Sequence, residues 1–370
     1  MSLVSVLACE TYELEKIRQA VNTLLAPFGG MERFVRPGMR VLLKPNLLSA
    51  TDPERAVTTH PTIVQAVAEL VHQAGGTVLI GDSPAGPVEV IHSVWQKSGM
   101  GEVATRTGAT LVPFDSVAWK QLNGRDYLLA RPVFDADLVI NLPKLKTHTL
   151  VLYTGAVKNL FGTVPGTRKR EHHLRAPGTR EFSQVLVDIL ELVRPGLTLM
   201  DGVLGQEGNG PGVGGTPRRY GCLAASTDPV ALDVVLSRAM GYRPGEIMHL
   251  AQAGARGLGC SDSDAIRIEG AKDVLNFGRI TLPKPRWYFN APAWSGRLAG
   301  QMVRLHPRLD RALCVGCGRC AEACPAGAIT LEEIPHFALS RCIRCFCCAE
   351  VCPQGAITPY RNLFARLLGM

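Results

Sequence analysis

Short apolar runs alternate along the chain with longer stretches whose apolar positions recur at helical spacing. Arg40–Lys44, Thr77–Ile80, Asp137–Asn141 and Leu197–Met200 read as strands, and Met1 to Glu10 as a first strand rather than a secretory leader. Thr62 to Gly75 reads as a helix with a glycine close behind it. Asp228 to Gly241 reads as another, opened by Asp228 and Pro229 in the favoured cap and first-turn positions. This alternation predicts an α/β fold with a mostly parallel sheet and flanking helices.

Each of the four inner strands runs into polar residues. In open α/β sheets, ligands bind in the crevice beyond the carboxyl ends of the strands. Lys44, Asn46, Asp82, Ser83, Asn141, Lys144, Lys146, His148 and Asp201 are delivered there. Thr154 to Gly162 adds Lys158 and Asn159 where a helix can start. Lys144, Lys146, His148 and Lys158 are the candidate catalytic residues, as proton donors and anion anchors. Lys44, Asn46, Asp82, Ser83, Asn141, Asn159, Asp201, Glu207 and Asn209 are candidate ligand contacts. The last two sit in a glycine-rich loop, Gly205 to Gly215, expected to wrap a ligand with backbone N–H groups. Arg168 to His173 is expected to be a basic loop, either solvated or closing over an acidic ligand. No GxxxxGK[ST] occurs, and no GxGxxG lies between a strand and a helix, so the familiar ATP and NAD motifs are missing.

Nine of the twelve cysteines fall between Cys314 and Cys352. They form two C-x2-C-x2-C-x3-C-P runs, the first opening at Cys314 and the second at Cys342. That spacing belongs to two-cluster ferredoxins, in which the fourth cysteine of each run ligates the other cluster. It assigns Cys314, Cys317, Cys320 and Cys352 to one [4Fe–4S] cluster, and Cys342, Cys345, Cys348 and Cys324 to a second. Cys347 is an extra thiol, read as a non-ligand. Zinc sites pair C-x2-C units across a longer gap, so iron–sulfur ligation is the better fit. The expected organisation is an α/β domain at 1–282, a connector at 283–311, a small α+β ferredoxin-like domain at 312–359 and a tail at 360–370. Trp287, Tyr288, Phe289 and Trp294 in the connector are expected to dock the two domains together, and the tail to pack as a short amphipathic helix.

Composition narrows the classes. At 46% apolar and 19% charged residues, the 370-residue chain can build sizeable cores and does not read as disordered. Clustered cysteines indicate a reducing compartment, and no run reaches the length of a membrane helix, so a cytoplasmic protein without membrane contact is expected. The formal charge of +8 favours acidic small molecules or partners. No nucleic acid is expected, because no stretch interleaves aromatic and basic residues as a base-stacking platform does.

Lys-Pro-Asn at 44–46, Gly-Asp-Ser-Pro at 81–84, Asn-Leu-Pro-Lys-Leu-Lys-Thr-His at 141–148 and Gly-Ala-Val-Lys-Asn-Leu-Phe-Gly at 155–162 resemble the domain of unknown function 362 family. Asp-Gly at 201–202, Glu-Gly-Asn-Gly-Pro at 207–211 and Ser-Thr-Asp-Pro-Val-Ala-Leu-Asp at 226–233 fit it too. The resemblance covers about residues 1 to 270 and implies an iron–sulfur-associated α/β protein without naming a substrate. The expected function is a reductase whose two clusters feed electrons to an anionic small molecule in a lysine-rich cleft. The alternative is an electron-transfer or ligand-sensing protein without catalysis of its own. An external electron donor or acceptor protein is implied. Mg2+ between Asp82 and Asp201, or an unidentified organic cofactor, could also occupy the cleft.

Overall fold

The structure, a computed structural model, describes residues 1–85, 90–176, 178–283 and 305–361. Twelve strands belong to the larger domain. They are β1 (Ser2–Ala8), β2 (Arg40–Pro45), β3 (Thr77–Ile80), β4 (Thr110–Leu111), β5 (Val117–Leu122), β6 (Arg125–Ala130), β7 (Leu138–Leu142), β8 (Lys144–His148), β9 (Leu152–Thr154), β10 (Leu197–Gly208), β11 (Gly215–Ser226) and β12 (Ile266–Gly270). Ten of them form one mixed, mostly parallel sheet in the order β12-β1-β11-β10-β7-β2-β3-β4, with β8 and β9 branching from β10. The pairs β3–β2, β2–β7 and β7–β10 are all parallel, so their carboxyl ends share one edge. The remaining two strands, β5 and β6, make a separate antiparallel hairpin.

The period-two alternation of a strand sends neighbouring residues to opposite faces. Val41 and Leu43 join one core with Ile63, Val64, Val67 and Val71 of the helix Pro61–Gln73. Leu42, between them, joins the other core with Phe182, Leu186 and Ile189 of the helix Thr179–Val193. Both predicted helices form. His60 caps Pro61–Gln73 by accepting from Thr62 N. Asp228 caps Pro229–Ala239, accepting from Val230 N at 2.9 Å and Ala231 N at 3.0 Å.

Two segments depart from expectation. The run Leu197–Met200 does not stop at Asp201; β10 continues to Gly208 because β11 returns antiparallel beside it, and only residues 209–214 form the turn. Arg168 to His173 is not a loop but the start of a helix, Lys169–Arg175, whose Ala176 N–H closes back on His172 O.

The small domain begins before its first cysteine. β13 (Leu305–Leu309) pairs antiparallel with β16 (Ile357–Arg361), so the end of the expected connector is a strand of the module. β14 (Ile329–Leu331) pairs with β15 (Pro335–Phe337). Tyr360 and Arg361 belong to β16 rather than to a terminal helix. The expected docking role of Trp287, Tyr288, Phe289 and Trp294, and the rest of the expected tail helix, lie outside the described residues. Among the described residues, no helix is long and apolar enough to cross a membrane.

Asp228 also accepts from Ser2 Oγ at 2.6 Å and from Cys260 N at 2.8 Å, tying three segments together. Asp228→Ala is expected to cost about 2 kcal/mol, the upper end for a helix cap. Asp228→Asn should retain part of that. The check is a lower urea midpoint at unchanged slope.

Candidate functional site

Two buried lysines are matched by aspartates on neighbouring parts of the sheet. Lys44 Nζ, near the end of β2, lies 2.8 Å from Asp82 Oδ1, just beyond β3. The second Asp82 oxygen accepts from Leu47 N at 2.7 Å. Gly162 packs onto this pair so closely that a Cβ there would stand 2.0 Å from Asp82 Oδ1. Ser83 locks the same segment, its N–H donating to Gly162 O and its Oγ accepting from Gly166 N. Lys144 Nζ, at the start of β8, lies 2.8 Å from Asp201 Oδ2 and donates to the Tyr12 hydroxyl at 2.9 Å. That hydroxyl donates to Asp201 Oδ1 at 2.8 Å, and the His60 ring stacks on Tyr12.

A chain of three amides holds the next lysine. Asn141 donates to Ala156 O, Asn159 donates to Asn141 Oδ1, and Asn46 donates to Asn159 Oδ1, at 2.8–3.0 Å. The Asn46 oxygen left over accepts from Lys146 Nζ at 2.8 Å. The other Lys146 partners are Val57 O at 2.9 Å and Pro211 O at 3.5 Å, so this fully buried ammonium faces only neutral oxygens. Burial, reinforced by Lys144 and Lys158, lowers its pKa to about 7.

Lys158 sits in the short helix Ala156–Asn159. Buried Asp233 anchors that helix, accepting from Ala156 N at 2.7 Å, Val157 N at 2.9 Å and Tyr153 Oη at 3.0 Å. Gly155 permits this approach, since a Cβ there would lie 2.1 Å from Asp233 Oδ1. Lys158 has no hydrogen-bond or ion-pair partner among the described residues; its ammonium lies over the rings of Phe161 and Phe182 at 5.2 and 5.8 Å. Burial lowers its pKa, opposed by Glu350. Lys169 Nζ donates to Ser83 O at 2.8 Å and Pro84 O at 3.1 Å, and burial lowers its pKa to about 7.

These groups open onto one pocket of about 760 Å³, mouth included. Its α/β wall carries Asn46, Asp82, Lys146, Lys158, Asn159 and Lys169. Its opposite wall belongs to the small domain, through Ala323, Cys347, Glu350 and Val351. Glu350 Oε1 lies 3.3 Å from His148 Nε2. His148 Nδ1 accepts from Leu150 N at 2.9 Å, so the neutral ring carries its proton on Nε2, facing the carboxylate. Burial lowers the His148 pKa to about 4. Burial alone would push the Glu350 carboxyl up; the His148 contact and nearby Lys158 and His173 outweigh it and hold it ionised.

The turn between β10 and β11 faces the small domain and reaches the pocket only through Pro211. A Cβ on Gly212 would lie 2.9 Å from Glu350 O, and one on Gly355 would lie 3.4 Å from Val213 O. Arg55 holds Val213 O and Gln206 holds Gly212 O, fixing the turn as a bracket between the domains.

The thiols suit a polynuclear cluster. Cys314, Cys317, Cys320 and Cys352 line a cavity of about 330 Å³, floored by Leu309 and Ile357. Among the described residues, no three His, Cys, Asp or Glu side chains converge as a single metal ion requires. Cys324, Cys342, Cys345 and Cys348 are electrostatic neighbours of one another. Ala328 N donates to Cys324 Sγ at 3.2 Å, and Ala356 N to Cys352 Sγ at 3.3 Å, the same bond at matching positions of the two repeats. N–H groups aimed at ligand sulfurs are what iron–sulfur ligation uses to tune a cluster.

Several expected site residues stand behind the pocket instead of on it. Lys144 and Asp201 satisfy each other, and Lys44 and Asn141 act through Asp82 and Asn159. His148 reaches the pocket only through Glu350. Glu207 pairs with Arg218 at 2.9 Å across the β10–β11 hairpin, and Asn209 is not on the lining. Asp82 and Asp201 each engage a different lysine. Lys169, Arg170 and His173, from the stretch expected either to be solvated or to close over an acidic ligand, line the pocket. Cys347 and Glu350 line it without having been singled out for it, and nothing in a cysteine motif marks Glu350.

Residues 41–238 match the family described as Domain of unknown function (DUF362), and residues 307–330 match the 4Fe-4S binding domain. A thylakoid-associated protein of Synechocystis sp. is 40% identical over 263 residues, covering 69% of this chain and 79% of its own length. The lactate racemase apoprotein of Thermoanaerobacterium thermosaccharolyticum superposes with a TM-score of 0.36 at 13% identity, over 53% of this chain and 49% of that one. The chain thus spans about half the length of that structure.

Gly162→Ala is expected to force the Lys44–Asp82 pair apart, since Ser83 and Leu47 leave Asp82 no room to retreat. The cost should be about 1–3 kcal/mol, as for overpacking of a tight interior, read as a lower urea midpoint.

Proposed function

The chain belongs to the DUF362 family, whose description assigns no reaction, and from the cleft we propose that this iron–sulfur electron-transfer protein is a reductase acting on an anionic small molecule. The carrying observation is the pocket itself: Lys146, Lys158 and Lys169, none paired with a carboxylate, face a wall made by the small domain. Of the two carboxylates on the lining, Asp82 is already matched by Lys44, and the ionised Glu350 is a single charge against three lysines. An anion entering the pocket therefore supplies charge that the lysines lack.

Two [4Fe–4S] clusters on the cysteine quartets would supply electrons one at a time. We take the quartet Cys324, Cys342, Cys345 and Cys348 as the nearer, since Ala323 and Cys347 beside two of its members line the pocket, against Val351 beside Cys352 of the other. Lys146 and Lys169 anchor the anion through the amide chain and the Ser83–Pro84 carbonyls. Lys158, unbonded and with a lowered pKa, can give up a proton to a reduced product and regain one. Glu350 and His148 keep the small domain seated against the cleft.

The test is anaerobic purification with metal and sulfide counts, EPR of the reduced protein, and mass spectrometry of co-purified small molecules. About eight irons are expected from the ferredoxin spacing. The retained molecule should reoxidise the reduced clusters. Lys158→Gln should keep the iron and its EPR signal while slowing reoxidation about 100-fold, as for a lost general acid. Zinc in place of iron, or reoxidation unaffected by the substitution, would overturn the reading.

The pH dependence has a definite sign. Lys146 and Lys169 titrate near pH 7 in the free pocket, and only their cationic forms attract an anion. The affinity for octanoate, whose own charge is constant, should weaken steadily from about pH 6 to about pH 9 by proton linkage. Calorimetric titration showing flat or rising affinity would contradict this.

A further inference from the structure

The pocket is far larger than one acid group, and it does not end at the lysines. A second cavity of about 520 Å³ shares Ala85, Arg170, Ala323 and Val351 with the first. The two chambers adjoin at these residues, and each is lined from both domains. Of the four shared residues, Ala85, Ala323 and Val351 are apolar, so the junction is apolar apart from the Arg170 guanidinium.

Cations recur beyond the lysines. Arg170 stands at the junction, bordering both chambers, and the exposed Arg319 borders the second. Neither has a hydrogen-bond or ion-pair partner among the described residues, although Glu322 lies on the same wall. The sequence repeat shows how this wall arises. Arg319 and Glu322 hold in the first repeat the places that Cys347 and Glu350 hold in the second. The short helix Arg319–Glu322 thus presents to the second chamber the positions that Cys347–Glu350 presents to the first. The planar fork of a guanidinium suits a carboxylate or a phosphate.

We infer that the ligand of this cleft is an elongated dianion with an apolar middle, its first acid group held by the lysines and its second by Arg170 and Arg319. This rests on the anion-binding reading above. It sets the substrate class by shape and charge: two acid groups separated by a hydrophobic stretch, with the end at the lysines lying beside the nearer cysteine quartet.

The test compares octanoate with suberate, a monoacid and a diacid of equal chain length, by calorimetric titration of the anaerobically purified holoprotein. Suberate should bind about tenfold more tightly, the increment of one good charge-assisted contact. Arg319→Gln should bring suberate down to the octanoate affinity while octanoate binding and iron and sulfide content stay unchanged. Arg170→Gln, remote from the cysteines in sequence, should also remove the gain. Equal affinities in the unaltered protein, or a gain surviving both substitutions, would overturn the inference alone. Failure of both acids to bind would overturn the anion-binding reading and the inference with it.

Discussion

Removing an ammonium group from water costs several kcal/mol unless oxygens or a counter-charge replace its hydration. This protein does so repeatedly along one sheet edge. Lys44, Lys144 and Lys146 are fully buried, and Lys158 and Lys169 are enclosed beside them. Lys44 and Lys144 have aspartates at 2.8 Å. The other three have carbonyls, one amide oxygen and aromatic faces. The asymmetry gives the cleft its character. The paired lysines tie neighbouring strands to one another, whereas the unpaired ones stand in the cleft without a counter-charge at hydrogen-bonding distance among the described residues.

The same constraint explains how the domains meet. Glu350 comes from a cysteine repeat and enters the pocket near His148, Lys158 and His173, where a carboxylate is favoured despite burial. The glycines of the β10–β11 turn let the short helix approach the sheet. Electrostatics and close backbone packing thus act on the same few residues, and they place the second cysteine repeat against the cleft.

The two repeats have diverged to suit their positions. Gly316 and Gly318 in the first adopt positive φ, the conformation for which glycine is best suited. The equivalent positions in the second are Arg344 and Phe346, at φ 60 and 62. A non-glycine residue there costs about 1–2 kcal/mol. Phe346 is almost fully buried, and burial of a phenylalanine contributes about 1.5–3 kcal/mol, enough to offset its own cost. The backbone needed around the thiols is thus kept in both repeats, while the side chains follow the surroundings of each.

The period of apolar residues and the Asp228–Pro229 start signal were enough to read the parallel strands, the two helices, one of their caps and the delivery of polar residues to one edge, because these follow from local geometry; the His60 cap was not legible. Cysteine spacing likewise pointed to iron–sulfur ligation, since three thiols close together in a run wrap one cluster while the fourth reaches the other. Three-dimensional packing decided the rest. Lys144 and Lys146 look equivalent, separated by a single leucine in the sequence, yet one meets Asp201 and the other only neutral oxygens. Glu207 and Asn209 belong to a hairpin because β11 returns beside β10, a pairing no local signal carries. Glu350 lies far along the chain from His148 and inside a motif dominated by cysteines, so only docking of the two domains could reveal their contact. Sequence alone determined which residue types reach the edge. Tertiary structure decided which lysines found a counter-charge, because desolvation and pairing depend on neighbours distant in the chain.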